Sequence, residues 1–269
     1  MALPKNNPTT FCKAFIEREL ESYHENSIWM SYWPVMENMV NRSDELKIPF
    51  AELIQEFGYS DKFEGIYPEN SYIWLVLEHI WCSINFSKQD VVEARNELKE
   101  LKTIQEDIVE LALQLSSKLR KQSELYEISG FQKHDYQSLT DLIEQASENN
   151  YLYHSNVSSK IKSLTGQYDL KYWPNRADLV EAIATFENIQ PVPGHSAFPN
   201  KVIDGRESDL KDFVLSFDNK FSEFNDLPKN FRFTNNAMAD IINIVLDLPA
   251  ENLASGDAIR VIRNRFKKV

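Results

Sequence analysis

The chain has 269 residues, 42% hydrophobic, 26% charged and 12% aromatic, with a formal net charge of −12. This is the composition of one or two globular domains, and it excludes wholesale disorder, a collagen-like repeat and a disulfide miniprotein. Only 7 glycines occur, which counts against the glycine-consuming nucleotide-binding α/β architectures, while a uniformly acidic surface repels a phosphate backbone.

Almost every segment repeats at helical spacing. Thr9 or Thr10 is placed to cap a first helix bearing Phe11, Phe15, Ile16, Leu20 and Tyr23. Trp29, Tyr32 and Trp33 follow; aromatics at this spacing predict core before they predict a ligand cage. Pro34 starts a turn with Val35, Met36, Met39 and Val40, and Pro49 one with Phe50, Leu53, Ile54 and Phe57, which Gly58 is placed to end in a left-handed conformation. From Ser71, apolar residues from Tyr72 to Ile84 cover nearly the whole circumference, so this helix is predicted at the centre of the N-terminal core.

The clearest element starts at Ser87 with Asp90 as a capping pair. Ala94, Leu98, Leu101, Ile104, Ile108, Leu111, Leu115 and Leu119 recur every three or four residues, and no glycine or proline intervenes before Gly130. A helix of about 38 residues, roughly 57 Å long, is predicted, either crossing the molecule or forming half of a coiled coil. Shorter helices are predicted after Ser138, around Val157 to Leu164, and after Asn175. Pro191, Pro193, Gly194, Pro199 and Gly205 break the periodicity. Beyond them come a stripe of Leu210, Phe213, Val214, Phe217, Phe221 and Phe224, a helix capped by Thr234 and ended by Pro249, and a last helix capped by Ser255 with Ile259, Ile262 and Phe266 inward. The fold is predicted to be all-α, a multi-helix bundle organised around one long helix with little or no β-sheet. Its parts are an N-terminal subdomain over 1–87, the long helix and a helical subdomain over 88–190, a loop or linker over 191–207, and a C-terminal three-helix segment over 208–269.

Cys12 and Cys82 lie in apolar surroundings and read as buried reduced thiols. No charged and then apolar leader opens the chain, and the Tyr72–Phe86 stretch, with Glu78 and His79, is too short and too polar to span a bilayer. A cytoplasmic protein without membrane attachment is expected. CxxC, HxH, HExxH, GxSxG, GxGxxG and the Walker loop are all missing, so neither metal nor cofactor is expected. Glu21 and His24 make one ExxH pair where a di-iron bundle needs two.

Two catalytic or binding constellations remain. Arg18 and His24, with five residues between, resemble the Arg–His motif of HEPN ribonucleases, where histidine serves as acid or base and arginine neutralises phosphate. The sequence departs from that family in having Glu after the arginine, in placing the motif in the first helix, and in flanking it with Glu17, Glu19, Glu21 and Glu25. At the other end Arg260, Arg263, Arg265, Lys267 and Lys268 stand in the last ten residues without an acid, a candidate phosphate-binding helix or a cationic helix end complementing its own dipole.

The segment Gly166-Gln-Tyr-Asp-Leu-Lys-Tyr-Trp-Pro174 is dense in aromatics and joins two helices; Tyr168, Tyr172 and Trp173 are candidate partner-binding residues. Together with the long helix and with Phe231-Arg-Phe-Thr-Asn-Asn-Ala-Met-Ala-Asp-Ile-Ile-Asn243, it resembles a group of bacterial all-helical proteins of accessory genomic regions, over roughly residues 88–269. The resemblance implies a bacterial host and a role beside mobile-element or phage-defence genes, and carries over no activity and no site residue. The expected function is a non-enzymatic interaction or adaptor protein that binds a protein partner, or a second copy of itself, through the long helix. A nucleic-acid-binding protein using the basic C-terminal helix is the alternative, with a HEPN-like ribonuclease behind it.

Overall fold

The computed structural model describes residues 5–58, 71–131, 138–164, 172–223, 227–229 and 231–266. Their regular structure is helical throughout, with thirteen α-helices and no strand, as the periodicity predicts. The chain divides into two compact units, one from residues 1–98 and 194–269 and the other from residues 99–193. The C-terminal helices therefore form no separate segment; they close the core begun by the N-terminal ones. Periodicity identifies an apolar face but does not say which other face covers it.

In the first unit α1 (Pro8–Asn26) packs on α2 (Trp33–Asn41) and α3 (Lys47–Phe57). α4 (Ser71–Cys82) leads to the start of α5 (Lys88–Ile128), and α10 (Asn200–Ile203), α11 (Asp209–Glu223), α12 (Asn235–Val245) and α13 (Gly256–Phe266) complete the unit. α12 packs on α2, α3, α4 and α13. It buries Ala237, Met238, Ala239, Ile241, Ile242, Ile244 and Val245, so it shares the central place expected of α4 alone. α4 contributes Ile73, Val76, Leu77, Ile80 and Trp81. α11 adds Phe213, Phe217 and Phe221, one per turn, and Phe86, Phe198 and Phe233 close around them. Each such ring, fully buried, contributes about 2–3 kcal/mol.

The capping expectations hold at Ser138, Asn175, Thr234 and Ser255, whose side chains accept backbone N–H groups of the first turn. At the first helix the cap is Asn7, which accepts from Thr10 N at 3.2 Å, with Pro8 behind it. Gly58 is right-handed, with φ −65°, so it is not the left-handed stop expected there. Of the Trp29 cluster, Tyr32 and Trp33 pack half-buried against the core, while Trp29 is left-handed (φ 56°), 57% exposed and stacked on Tyr32. Trp33 donates its indole N–H to Ile28 O at 2.9 Å. Phe224 of the α11 stripe, the stop at Gly166 and the capping side chain of Ser71 lie outside the described residues.

The segment expected as a loop or linker is anchored in the core by Phe198 and Val202. Arg95 of α5 donates to Val202 O at 2.7 Å and to Asp212 of α11 at 3.0 Å, while Ser208 N donates to Asp212 at 3.1 Å. A second buried charge sits on α13. Arg263 forks onto both oxygens of Asp218 at 3.0 and 2.8 Å and donates to Phe233 O at 2.8 Å and Asn235 Oδ1 at 3.0 Å, with Arg232 on the same carboxylate. One guanidinium thus joins α11, the 231–234 connector and the first turn of α12. Without Arg263 the Asp218 carboxylate keeps Arg232, but Phe233 O and Asn235 Oδ1 lose their donor. Arg263→Ala should therefore lower the unfolding free energy by about 2–3 kcal/mol, whereas Arg260→Ala should stay within about 0.5 kcal/mol of the parent, both read from urea denaturation.

In the second unit α6 (Leu139–Ala146), α7 (Tyr151–Asn156) and α8 (Ser158–Leu164) gather on Glu144, which accepts from Tyr153 Oη at 2.7 Å and Ser158 Oγ at 2.9 Å and pairs with Lys162 at 3.2 Å. The Tyr153 hydroxyl holds that carboxyl below its ordinary range. α9 (Arg176–Asn188) completes the unit beside the later part of α5.

Candidate interaction surface on the long helix

α5 is a single helix of 41 residues because its sequence supplies a start and no interruption. Ser87 Oγ donates to the Asp90 carboxylate at the first turn, and Gln114 donates to Glu110 one turn away at 2.8 Å. Its first turns bury Val91 and Ala94 in the first unit. Farther along, polar side chains lash it to α9. Gln105 donates to Glu187 O, Arg120 donates to Glu181 and Asp178, and Arg176 donates to Gln122 at 3.2 Å. Increasing numbers on one helix meet decreasing numbers on the other, so the two run antiparallel.

The residues buried along this pairing are small: Ala112 and Ser116 on α5, Ala177 and Ala184 on α9. At 100° per residue, Gln105, Ala112 and Ser116 form an arc centred about 80° round the helix from the Leu101, Ile104, Ile108, Leu111, Leu115 stripe. That stripe faces outward. Leu101 is 53% exposed and Leu111 63%, and Ile104, Ile108 and Leu115 are exposed as well. Five aliphatic side chains at alternating spacings of three and four residues thus line about 21 Å of helix without cover. Glu100 and Asp107 flank the stripe toward its start and Lys118 and Lys121 toward its end, all exposed.

The other sequence-predicted sites fare differently. Arg18 and His24 both sit on α1, six positions apart, which sets them about 120° round the axis and about 9 Å along it. Arg18 bonds Glu19 at 2.8 Å, and the His24 ring lies 4.1 Å from that of Trp33. The helix does not bring the two together. In the C-terminal helix Arg263 is a correction: it is 7% exposed and spent on Asp218. Its place four residues after the buried Ile259 is the signal that sequence reading passed over, because i and i+4 share a face. Arg260, which bonds Asp257 at 2.9 Å, and Arg265 are exposed but about 140° apart round the helix. Lys267, Lys268 and Tyr168 lie outside the described residues; Tyr172 is exposed and Trp173 half-buried.

The first unit also carries a pocket of about 450 Å³ lined by Trp74, Glu78, His79, Cys82, Asn85 and Lys220 among others. Burial pushes the His79 imidazole down to about 4, against an opposing hydrogen bond with Phe217 O at 3.1 Å. It also pushes the Cys82 thiol up to about 12, and with Glu19 nearby it raises the Glu78 carboxyl. A neutral imidazole held by a carbonyl and a thiol kept protonated make a poor nucleophile–base set. Among the described residues no group of three His, Cys, Asp or Glu is arranged to hold a metal ion, and no helix is long and apolar enough to cross a membrane. No protein-family model, curated protein or solved structure matches the chain.

His79 gives a pH dependence of known sign. The unfolded chain takes up a proton near 6.5 that the folded chain refuses until about 4, so stability is full above 6.5 and falls as the pH drops through that window. The loss from this group should approach about 3 kcal/mol, seen as a steeper fall of the urea midpoint from pH 7 to 4.5 in the parent than in His79→Gln. Equal slopes would refute it. The Ser116 hydroxyl is buried without a hydrogen-bond partner. Ser116→Ala should raise the unfolding free energy by about 1 kcal/mol, since it removes that orphan and improves helix propensity.

Proposed function

We propose that the protein is a non-enzymatic interaction or adaptor protein that presents the middle of its long helix to a helical protein partner. The observation that carries this is the uncovered Leu101, Ile104, Ile108, Leu111, Leu115 stripe. A soluble surface rarely leaves contiguous aliphatics open without a use for them, and a three–four repeat is the pattern that a second amphipathic helix covers. The small buried residues Ala112 and Ser116, on the same side of α5 as Gln105, support the reading, because they let the helix pack without drawing on the stripe.

A cytoplasmic place in a bacterial accessory or anti-phage system is part of the same proposal, supported by the resemblance of the 166–174 and 231–243 passages. The nucleic-acid alternative now rests on Arg260 and Arg265 among the described residues, since Arg263 is committed to Asp218. A salt-sensitive gel shift lost in Arg260→Glu/Arg265→Glu would favour it over the adaptor reading.

The test is a variant pair on the stripe. Ile108→Asp/Leu111→Asp should keep the circular-dichroism helicity of the parent, because both side chains already face solvent. It should also lose the stoichiometric protein, whether another chain or a second copy, that the tagged parent retains from its native host. Equal recovery by parent and variant would reject the stripe as an interface.

A further inference from the structure

We infer that the occupant of the stripe is the same stripe of a second copy, laid antiparallel across a two-fold axis. This rests on the reading of the stripe as an interface and adds its partner and direction. The argument is one of charge and register. In the heptad frame set by Leu101, Ile108 and Leu115 at one core position and Ile104 and Leu111 at the other, Lys118 falls in the seam itself. Glu100, Asp107, Gln114 and Lys121 form one flank. The opposite flank is engaged, with Gln105 bonded to α9 and Ala112 buried, so only the first flank is open to a partner.

A parallel, in-register pair would place Lys118 against Lys118 of its mate inside the seam and would leave Glu100 and Lys121 about 31 Å apart. Antiparallel pairing centred between Ile108 and Leu111 removes both faults. Ile108 then meets Leu111, and Ile104 meets Leu115, twice each by symmetry. Lys118 lies over Leu101 with its amine free to reach Glu100, and Glu100 of each copy faces Lys121 of the other across the open flank. Such an interface is isologous, the commonest form of self-association. Its salt pairs are exposed, so they select direction more than they add strength. In the lone chain Lys121 pairs with Glu124, 3.5 Å away on the surface, a contact that it exchanges readily.

Sedimentation equilibrium of the full chain over a wide concentration range should show a monomer–dimer equilibrium. Glu100→Lys and Lys121→Glu should each weaken it about tenfold, since each sets like charges face to face twice. Combining the two substitutions in one chain should restore it. Direction is read by mixing a Glu100→Cys chain with a Lys121→Cys chain under mild oxidation. The native Cys12 is buried and Cys82 is held protonated, and a mixed disulfide between the two chains should form in high yield only if the helices run antiparallel. A dimer without that crosslink, or single and double charge variants of equal affinity, would overturn the arrangement. A chain that stays monomeric at every concentration would overturn self-pairing. In that case the interface reading stands if Ile108→Asp/Leu111→Asp still loses a different partner, and falls with it if that variant loses nothing.

Discussion

An α-helix satisfies its backbone internally but has to dispose of its side chains on every side, and Lys88–Ile128 is long enough to do this differently along its length. Its early turns sink Val91 and Ala94 into the aromatic core of the first unit. Its later turns are held to α9 by a narrow strip of small and polar residues, Gln105, Ala112, Ser116 and Arg120. Because that strip lies about a quarter-turn from the leucine and isoleucine stripe, the large aliphatics are left on the outside. Among the described residues the second unit buries mostly small side chains, Tyr153 apart, while this stripe stays on its surface.

The first unit shows the opposite economy. Phe213, Phe217 and Phe221 of α11 fill the centre, and two arginines reach into it with several partners each: Arg95 to Val202 O and Asp212, Arg263 to Asp218 and the 231–234 connector. Both arginines tie together segments far apart in sequence, which fixes the otherwise irregular chain around Phe198 and the entry into α12. His79 belongs to the same logic, a titratable ring kept neutral by burial against Phe217.

Much of the fold was legible from residues alone. Helix starts at Ser138, Asn175, Thr234 and Ser255 follow from local hydrogen bonding that needs no distant partner. The first cap is ambiguous in sequence because Asn7–Pro8 and Thr9–Thr10 are both acceptable starts, and only the backbone chooses between them. Trp29 reads as core beside Tyr32 and Trp33 because spacing alone cannot tell an inner face from an outer one. Arg263 reads as surface because charge suggests water, although its spacing from Ile259 places it inward. The candidate site was visible as a heptad pattern, and its status as an open face was not.

What the amino-acid order determined by itself, then, is the local part: helical class, the uninterrupted length of α5, most of its neighbours' caps, and the three–four spacing of its aliphatics. These depend on propensity, capping and periodicity, interactions that reach no farther than about one turn. Which helices share a core, that residues 1–98 and 194–269 close on each other, and that α5 turns alanine and serine toward α9 while leaving leucine outward were settled only in three dimensions. A hydrophobic stripe is non-directional, so it asks to be covered without naming its cover, and the choice falls to whichever face packs closest.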